Sequence, residues 1–232
     1  MRFITRTLTI FILMLNMVKT SPIVASGINA ISEENFTRHP ILLVHGYLHH
    51  GSAWLYFQHL MEDADVGPTY TINLGSPLLS IEEYAAKVQK KAEQIAEETG
   101  DVELVLVGHS MGGLVSAYYA LYLAPEGTVR SVATLGSPLQ GTTTADFGIG
   151  QCAQQMRYQS EFVTALGRDI SLSPIPFLHL GSKTDFVIRP NSSALLHGPN
   201  SRVYEYESMG HMMYLLSQSV VDKVVEFYRD TN

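Results

Sequence analysis

The sequence predicts an α/β fold built on a mostly parallel sheet flanked by helices. Two observations carry this. Short apolar runs with no polar alternation, such as ILLV and LVLV, suit strands buried on both faces. Between them lie longer stretches with apolar residues three and four apart, the period of an amphipathic helix. A third observation localises interest within that fold. The run ELVLVGHSMGG places Ser110 between a strand and a helix, crowded by Gly108, Gly112 and Gly113.

At 232 residues the chain is long enough for one domain with a substantial core, and its 46% apolar and 16% charged residues exclude a disordered chain. The formal net charge is −7. The first thirty residues hold Arg2, Arg6 and Lys19 and no acid, so the remainder has 12 basic residues against 22 acidic, a net −10. A body of that sign has no bulk attraction for nucleic acid or anionic membrane, and transient contact with a lipid interface requires an apolar patch. Cys152 is the only cysteine, so no internal disulfide forms, and no signature marks it as a nucleophile.

Residues 1–30 read as a secretory signal or N-terminal hydrophobic segment. Arg2 and Arg6 precede an apolar run from Leu8 to Val18, too short to span a bilayer, and small residues follow around Ala25 and Ala30. The expectation is export, with an uncleaved membrane anchor as the alternative. Residues 31–39 read as a linker and 40–232 as the folded domain.

The elements follow in order. Ile41–His45 is a buried strand, Ser52–Glu62 a helix, and Thr69–Asn73 a β-branched strand. Ser80 and Glu83 form a capping box that starts a helix ending at Gly100, with Ile81, Tyr84, Ala85, Val88, Ala92 and Ile95 on one face. Val102–Val107 is a strand, Met111 to about Ala124 a helix, and Val129–Gly136 a strand. Residues 138–173 are expected to be irregular, a short lid-like segment with one short helix at Glu161–Leu166. Ile175–Gly181 and Arg202–Glu207 are strands. A last helix runs from Met213 to about Tyr228 with Leu216, Val220, Val221, Val224 and Phe227 inward.

Gly108-His109-Ser110-Met111-Gly112 fits the G-x-S-x-G elbow, which needs a strand before it and a helix after it. The serine must project from a sharp strained turn, and bulk two residues away on either side would strike the neighbouring strand or helix. The bland alternative is a plain glycine-rich turn. A serine hydroxyl needs a base to take its proton, and a third group to orient that base. In this motif's chain order the acid precedes the histidine. His211 follows the last strand and precedes the last helix. His179 falls within a strand, His197 in a loop out of register, and His109 beside the serine. Asp185, just past Ile175–Gly181, is the expected acid, with Asp146 as runner-up. Glu205 and Glu207 read as a solvent face. Oxyanion donors are expected at the Met111 amide and, in the HGYLHHG loop, at the Tyr47 amide beside Gly46. His45, His49, His50 and His59 match no metal-ligand spacing, and His45 is expected to hydrogen-bond within its loop. No metal or cofactor is expected.

The segments PILLVHGY, LVLVGHSMGG, LGSPLQGT, GSKTDFVI and GHMMYLL resemble, in sequence, the signature segments of the α/β-hydrolase fold. The resemblance runs from about Pro40 to Tyr228 and is strongest to the lipase and esterase branch, including bacterial triacylglycerol lipases and inositol-deacylase-like hydrolases. It implies Ser110 as nucleophile, Asp185 as acid, His211 as base, and hydrolysis of a carboxylic ester through an acyl-enzyme, with an acyl ester or lipid as substrate. Two departures stand out: the segment after Pro138 is too short for a large lid, and no disulfide is available. Met156, Phe162, Val163, Leu166, Ile170 and Leu172 suit either an acyl groove or core packing. A thioesterase or acyltransferase would use the same triad, and a binding protein that lost catalysis would keep the fold. Asn35 and Asn191 head glycosylation sequons.

Overall fold

The computed structural model describes residues 37–232, so the N-terminal segment, most of the linker and Asn35 lie outside the described residues. Six strands, β1 (Ile41–Val44), β2 (Thr69–Ile72), β3 (Leu104–His109), β4 (Val129–Leu135), β5 (Phe177–Ser182) and β6 (Ser201–Tyr206), form one sheet in the order β2-β1-β3-β4-β5-β6. Every neighbouring pair is parallel. Parallel neighbours require crossovers, and helices supply most of them: α1 (Leu55–Asp63), α2 (Ile81–Thr99) and α3 (Met111–Tyr118) link β1 to β4 in turn, α4 (Gln151–Gln155) and α5 (Glu161–Leu172) lie between β4 and β5, and α6 (Gln218–Thr231) follows β6.

The strands alternate between two cores. Leu42, Val44, Leu104 and Leu106 pack on the α2 and α3 side with Ile81, Tyr84, Val88 and Leu114. Ile41, Leu43, Val105 and Val107 pack on the α1 and α6 side with Trp54, Phe57, Val221 and Phe227. This explains the unbroken apolar runs, since a strand covered on both faces has no solvent side. Helix α2 begins as its sequence dictates. Ser80 Oγ accepts from the Glu83 amide at 3.2 Å while Glu83 Oε2 accepts from the Ser80 amide at 2.8 Å, and Gly100 closes the helix at φ +74°.

Two expectations need correction. The segment 138–173 is largely helical, with a 3-10 turn at Thr143–Phe147, α4 at Gln151–Gln155 and α5 over Glu161–Leu172. The expected short helix runs six residues further because Val163, Leu166 and Ile170 keep the helical period and are buried, and Ser160 Oγ caps Val163. Met156, Val163, Leu166 and Ile170 belong to the core rather than to an acyl groove, while Leu172 is exposed. The last helix is also broken. His211–Leu215 forms a separate 3-10 turn, and α6 starts only at Gln218, which leaves Leu216 half exposed. Glu205 and Glu207 are exposed, as expected.

The connection order reverses at β1. Strand β2 lies on one side of it and β3 on the other, so the loops leaving the carboxyl ends of β1 and β3 part and open a crevice. The fold therefore locates a site before any side chain is considered.

Buried imidazoles tie this interior to pH. His179, in the middle of β5, is fully buried, and its Nδ1–H donates to Thr134 Oγ1 at 2.9 Å, leaving the Thr134 hydroxyl to donate to Leu178 O at 3.4 Å. Burial pushes its pKa down to about 3, with His197 adding to the effect. The folded value lies below the unfolded one, so the unfolded chain takes the proton first as pH falls. The stability is fully present above pH 6.5 and is lost progressively as pH drops toward 3. In urea titrations, His179→Leu should show a shallower loss of stability than the parent chain between pH 6.5 and 4. Parallel curves would contradict this assignment.

Candidate active site

Ser110 occupies the turn between β3 and α3 at φ +55° and ψ −126°, a conformation that costs a non-glycine residue on the order of 1–3 kcal/mol. Its own amide donates to Leu135 O at 2.9 Å, tying the turn to the end of β4. The flanking glycines are required by contact. A Cβ at Gly108 would overlap the Gly112 backbone, and a Cβ at Gly112 would overlap the Val44 carbonyl at the end of β1. The first turn of α3 thus rests directly on β1. Its leading amide, Met111, lacks an intrahelical acceptor and faces the region where the helix dipole favours negative charge.

The loop after β1 closes on the same point. A Cβ at Gly46 would lie 2.9 Å from Ser110 Cβ, so only glycine lets this loop touch the elbow. His45 fixes the loop: its Nδ1–H donates to Gly46 O at 2.9 Å, and its Nε2 accepts from the Leu74 amide at 3.0 Å. Both ring nitrogens are used, which accounts for this histidine without a metal. The His49 amide donates to Gly46 O at 3.3 Å and closes the turn that carries Tyr47, whose hydroxyl both accepts from the Ile149 amide and donates to Ile149 O at 2.9 Å. The lid-like segment is further anchored where Gln151 and Cys152 amides donate to Leu78 and Leu79 carbonyls. Cys152 itself is buried and donates to Pro77 O, and burial raises its thiol pKa.

Asp185 follows β5 and is buried. One carboxylate oxygen accepts from the Val187 and Ile188 amides at 2.8 and 3.1 Å, and the other accepts from His211 Nδ1 at 2.8 Å. The imidazole is therefore held with its proton on Nδ1, which leaves the Nε2 lone pair free. His211 is 6% exposed and Ser110 8%, so both are almost wholly buried. The expected acid and histidine are thus brought together at the carboxyl end of the sheet, the end at which Ser110 follows β3. The rivals are elsewhere: Asp146 is exposed and pairs with Arg157 at 3.4 Å, His197 is exposed, and His179 is inside the sheet. His50 caps the 3-10 turn after it, and His59 lies on the surface beside Asp63.

Several supporting residues escaped the sequence reading. Thr142 Oγ1 donates to Val187 O at 2.8 Å and accepts from the Arg189 amide at 2.9 Å, and Thr144 also donates to Val187 O. Asn191 Nδ2 donates to the carbonyls of Asp185 and Ile188, so the second sequon's amide is engaged in bracing the acid loop. Gly136, at φ +54°, lets Tyr214 and Asp185 pack against the end of β4. The LGSPLQGT segment is thus the acid loop's support. Its signal in sequence was the segment itself, without the contacts that explain it.

The contact of α3 on β1 makes a testable demand. Gly112→Ala should cost about 3 kcal/mol, at the upper end of overpacking. Gly127→Ala meets nothing within 4 Å and should cost only about 1 kcal/mol for its left-handed backbone. Chemical denaturation of the two variants checks this, and equal losses would refute it.

The model of the alpha/beta hydrolase family matches residues 41–187. Curated relatives include triacylglycerol lipases of Pseudarthrobacter phenanthrenivorans and Burkholderia plantarii. Each is 33% identical over 123 residues, covering 48% of this chain and 36% and 32% of theirs. The chain spans about a third of the length of these relatives. Among solved structures, the mature Bacillus licheniformis lipase BlEst2 aligns with a TM-score of 0.70 at 17% identity, over 83% of this chain and 92% of that one. A Paleococcus ferrophilus monoacylglycerol lipase aligns at 0.66 and 15% identity, over 83% and 95%. The structural likenesses speak to fold alone. Elbow, sheet order and family match agree, and this chain belongs to the alpha/beta hydrolase family.

Proposed function

We propose that the chain is a serine carboxylic-ester hydrolase of the lipase and esterase type, acting on lipid-like acyl esters. The observation that carries this is the buried Asp185–His211 pair, which presents a free Nε2 lone pair at the carboxyl end of the sheet, the end that bears the strained Ser110. In this mechanism Ser110 Oγ attacks the ester carbonyl carbon while its proton passes to His211 Nε2. Asp185 holds the tautomer and stabilises the imidazolium that forms. The carbonyl oxygen becomes an oxyanion within reach of the Met111 and Tyr47 amides, each such donor being worth about 2.7–4 kcal/mol in the transition state. Collapse expels the alcohol, which takes the proton from His211. Water, deprotonated by the same imidazole, then releases the acid.

The surface around the mouth supports an apolar substrate. Leu48 neighbours Tyr47, Phe186 neighbours Asp185, Met212 and Met213 follow His211, and Phe147 and Ile149 flank the Tyr47 contact; all are exposed, Phe147 by 91%. With a net-negative body, contact with a lipid surface rests on such residues rather than on charge. Export directed by residues 1–30 belongs to the same proposal and rests on their basic start and apolar run.

Hydrolysis of a chromogenic ester series from acetyl to palmitoyl tests the reaction. The parent chain should cleave part of the series, Ser110→Ala should abolish turnover, and Asp185→Asn should lower kcat by about 10⁴-fold through the wrong tautomer. Turnover that survives Ser110→Ala would overturn the mechanism, and a folded chain inert to the whole series would overturn the general esterase reading. Separately, Phe147→Ser should weaken partition onto uncharged phospholipid vesicles by about tenfold, leaving kcat on the acetyl ester unchanged. Undiminished partition would remove the lipid-contact part of the proposal.

A further inference from the structure

His109, the residue between Gly108 and Ser110, has a role that the triad does not assign. Its side chain is buried, 1% exposed. Its Nε2 lies 2.9 Å from the backbone oxygen of His211. A carbonyl only accepts, so Nε2 carries the proton and Nδ1 is the lone-pair nitrogen. The ring packs tilted against the His211 imidazole with centroids 4.8 Å apart, and edge-on to Trp54 at 6.5 Å; Tyr214 lies at 6.3 Å and His49 at 6.2 Å.

A residue present only to fill space would not be built this way. Nδ1 of His109 is buried with no hydrogen-bond partner among the described residues. An unsatisfied buried nitrogen is a cost that a phenylalanine of similar shape would avoid. What the imidazole adds over a phenyl ring is the Nε2–H donor, and that donor is spent on His211.

We infer that His109 is a positioning residue, which sets the separation of nucleophile and base by joining Ser110 through the chain and His211 through its carbonyl. Asp185 holds the His211 ring from one side, and His109 holds its backbone from the other. The surroundings also keep His109 uncharged. Burial first, then His211 and to a smaller extent His49 and His45, together lower its pKa to about 3 against the opposing effect of the bond to the His211 carbonyl. A neutral ring does not compete with the positive charge that His211 takes on during turnover.

The inference rests on the hydrolase reading for its catalytic consequence, and its test separates the two. His109→Phe keeps the ring and removes the donor. His109→Gln restores an amide N–H at similar reach. With the Phe variant, kcat should fall by about 10–100-fold, the scale of a small misplacement of a reacting group, with KM within about twofold. Its melting temperature should stay close to the parent's. The Gln variant should recover most of kcat. The acid limb of the kcat/KM profile, which reports the base, should shift in the Phe variant and return in the Gln variant. The downfield proton resonance of His211 Nδ1–H, identified by its loss in Asp185→Asn, gives a readout independent of turnover. It should shift or broaden in His109→Phe and be retained in His109→Gln. Unchanged kcat and resonance in the Phe variant would overturn the inference, as would a Gln variant as impaired as Phe. If no ester is cleaved, the hydrolase reading fails, and the resonance alone still decides whether His109 positions His211.

Discussion

The arrangement depends on how closely the start of α3 approaches the end of β1. Gly112 lies where any side chain would overlap the Val44 carbonyl, and Gly46 lies where any side chain would press on Ser110. Through these two absences the serine, the first amides of α3 and the loop after β1 share one small volume. The topology puts that volume at the point where strand order reverses, so the crevice and the chemistry coincide. Strain at Ser110 is sustained because the turn is held by the hydrogen bond its amide donates to Leu135 O and by the packing of β3 on both faces.

Around this contact the polar groups divide the work of orientation. Asp185 is fixed by two amides, its loop by Thr142, Thr144 and Asn191, and its free oxygen fixes His211. His45 spends both ring nitrogens on the β1 loop. These bonds are made before any substrate arrives, so the site is organised in advance. Such preorganisation is what allows small dipoles in a dry cleft to matter for reaction rate.

Much of this was legible in the sequence, for identifiable reasons. Strands β1 and β3 showed as unbroken apolar runs because both faces are covered. Helix α2 showed because its capping box is local, requiring only Ser80 and Glu83. The elbow showed because its steric demands are written in glycines, and Asp185 and His211 followed from chain order once the serine was placed. What was hidden depends on contacts across the fold. Helix α5 extends beyond its expected end because Ile170 finds the core, and the final helix breaks because His211–Leu215 must turn to meet Asp185 and Gly136. Thr142, Asn191 and His109 are ordinary polar residues in the sequence, and only their partners give them a role. The expectations for residues 1–30 lie outside the described residues.

The central claim is that this geometry makes one serine nucleophilic. Intact-mass and peptide analysis after treatment with a fluorophosphonate tests it without reference to any particular substrate. The account predicts one adduct per chain, located on Ser110, and no labelling when His211 is replaced by alanine in the folded protein. An unlabelled parent chain, or an adduct on another residue such as Ser137 or Ser182, would contradict it.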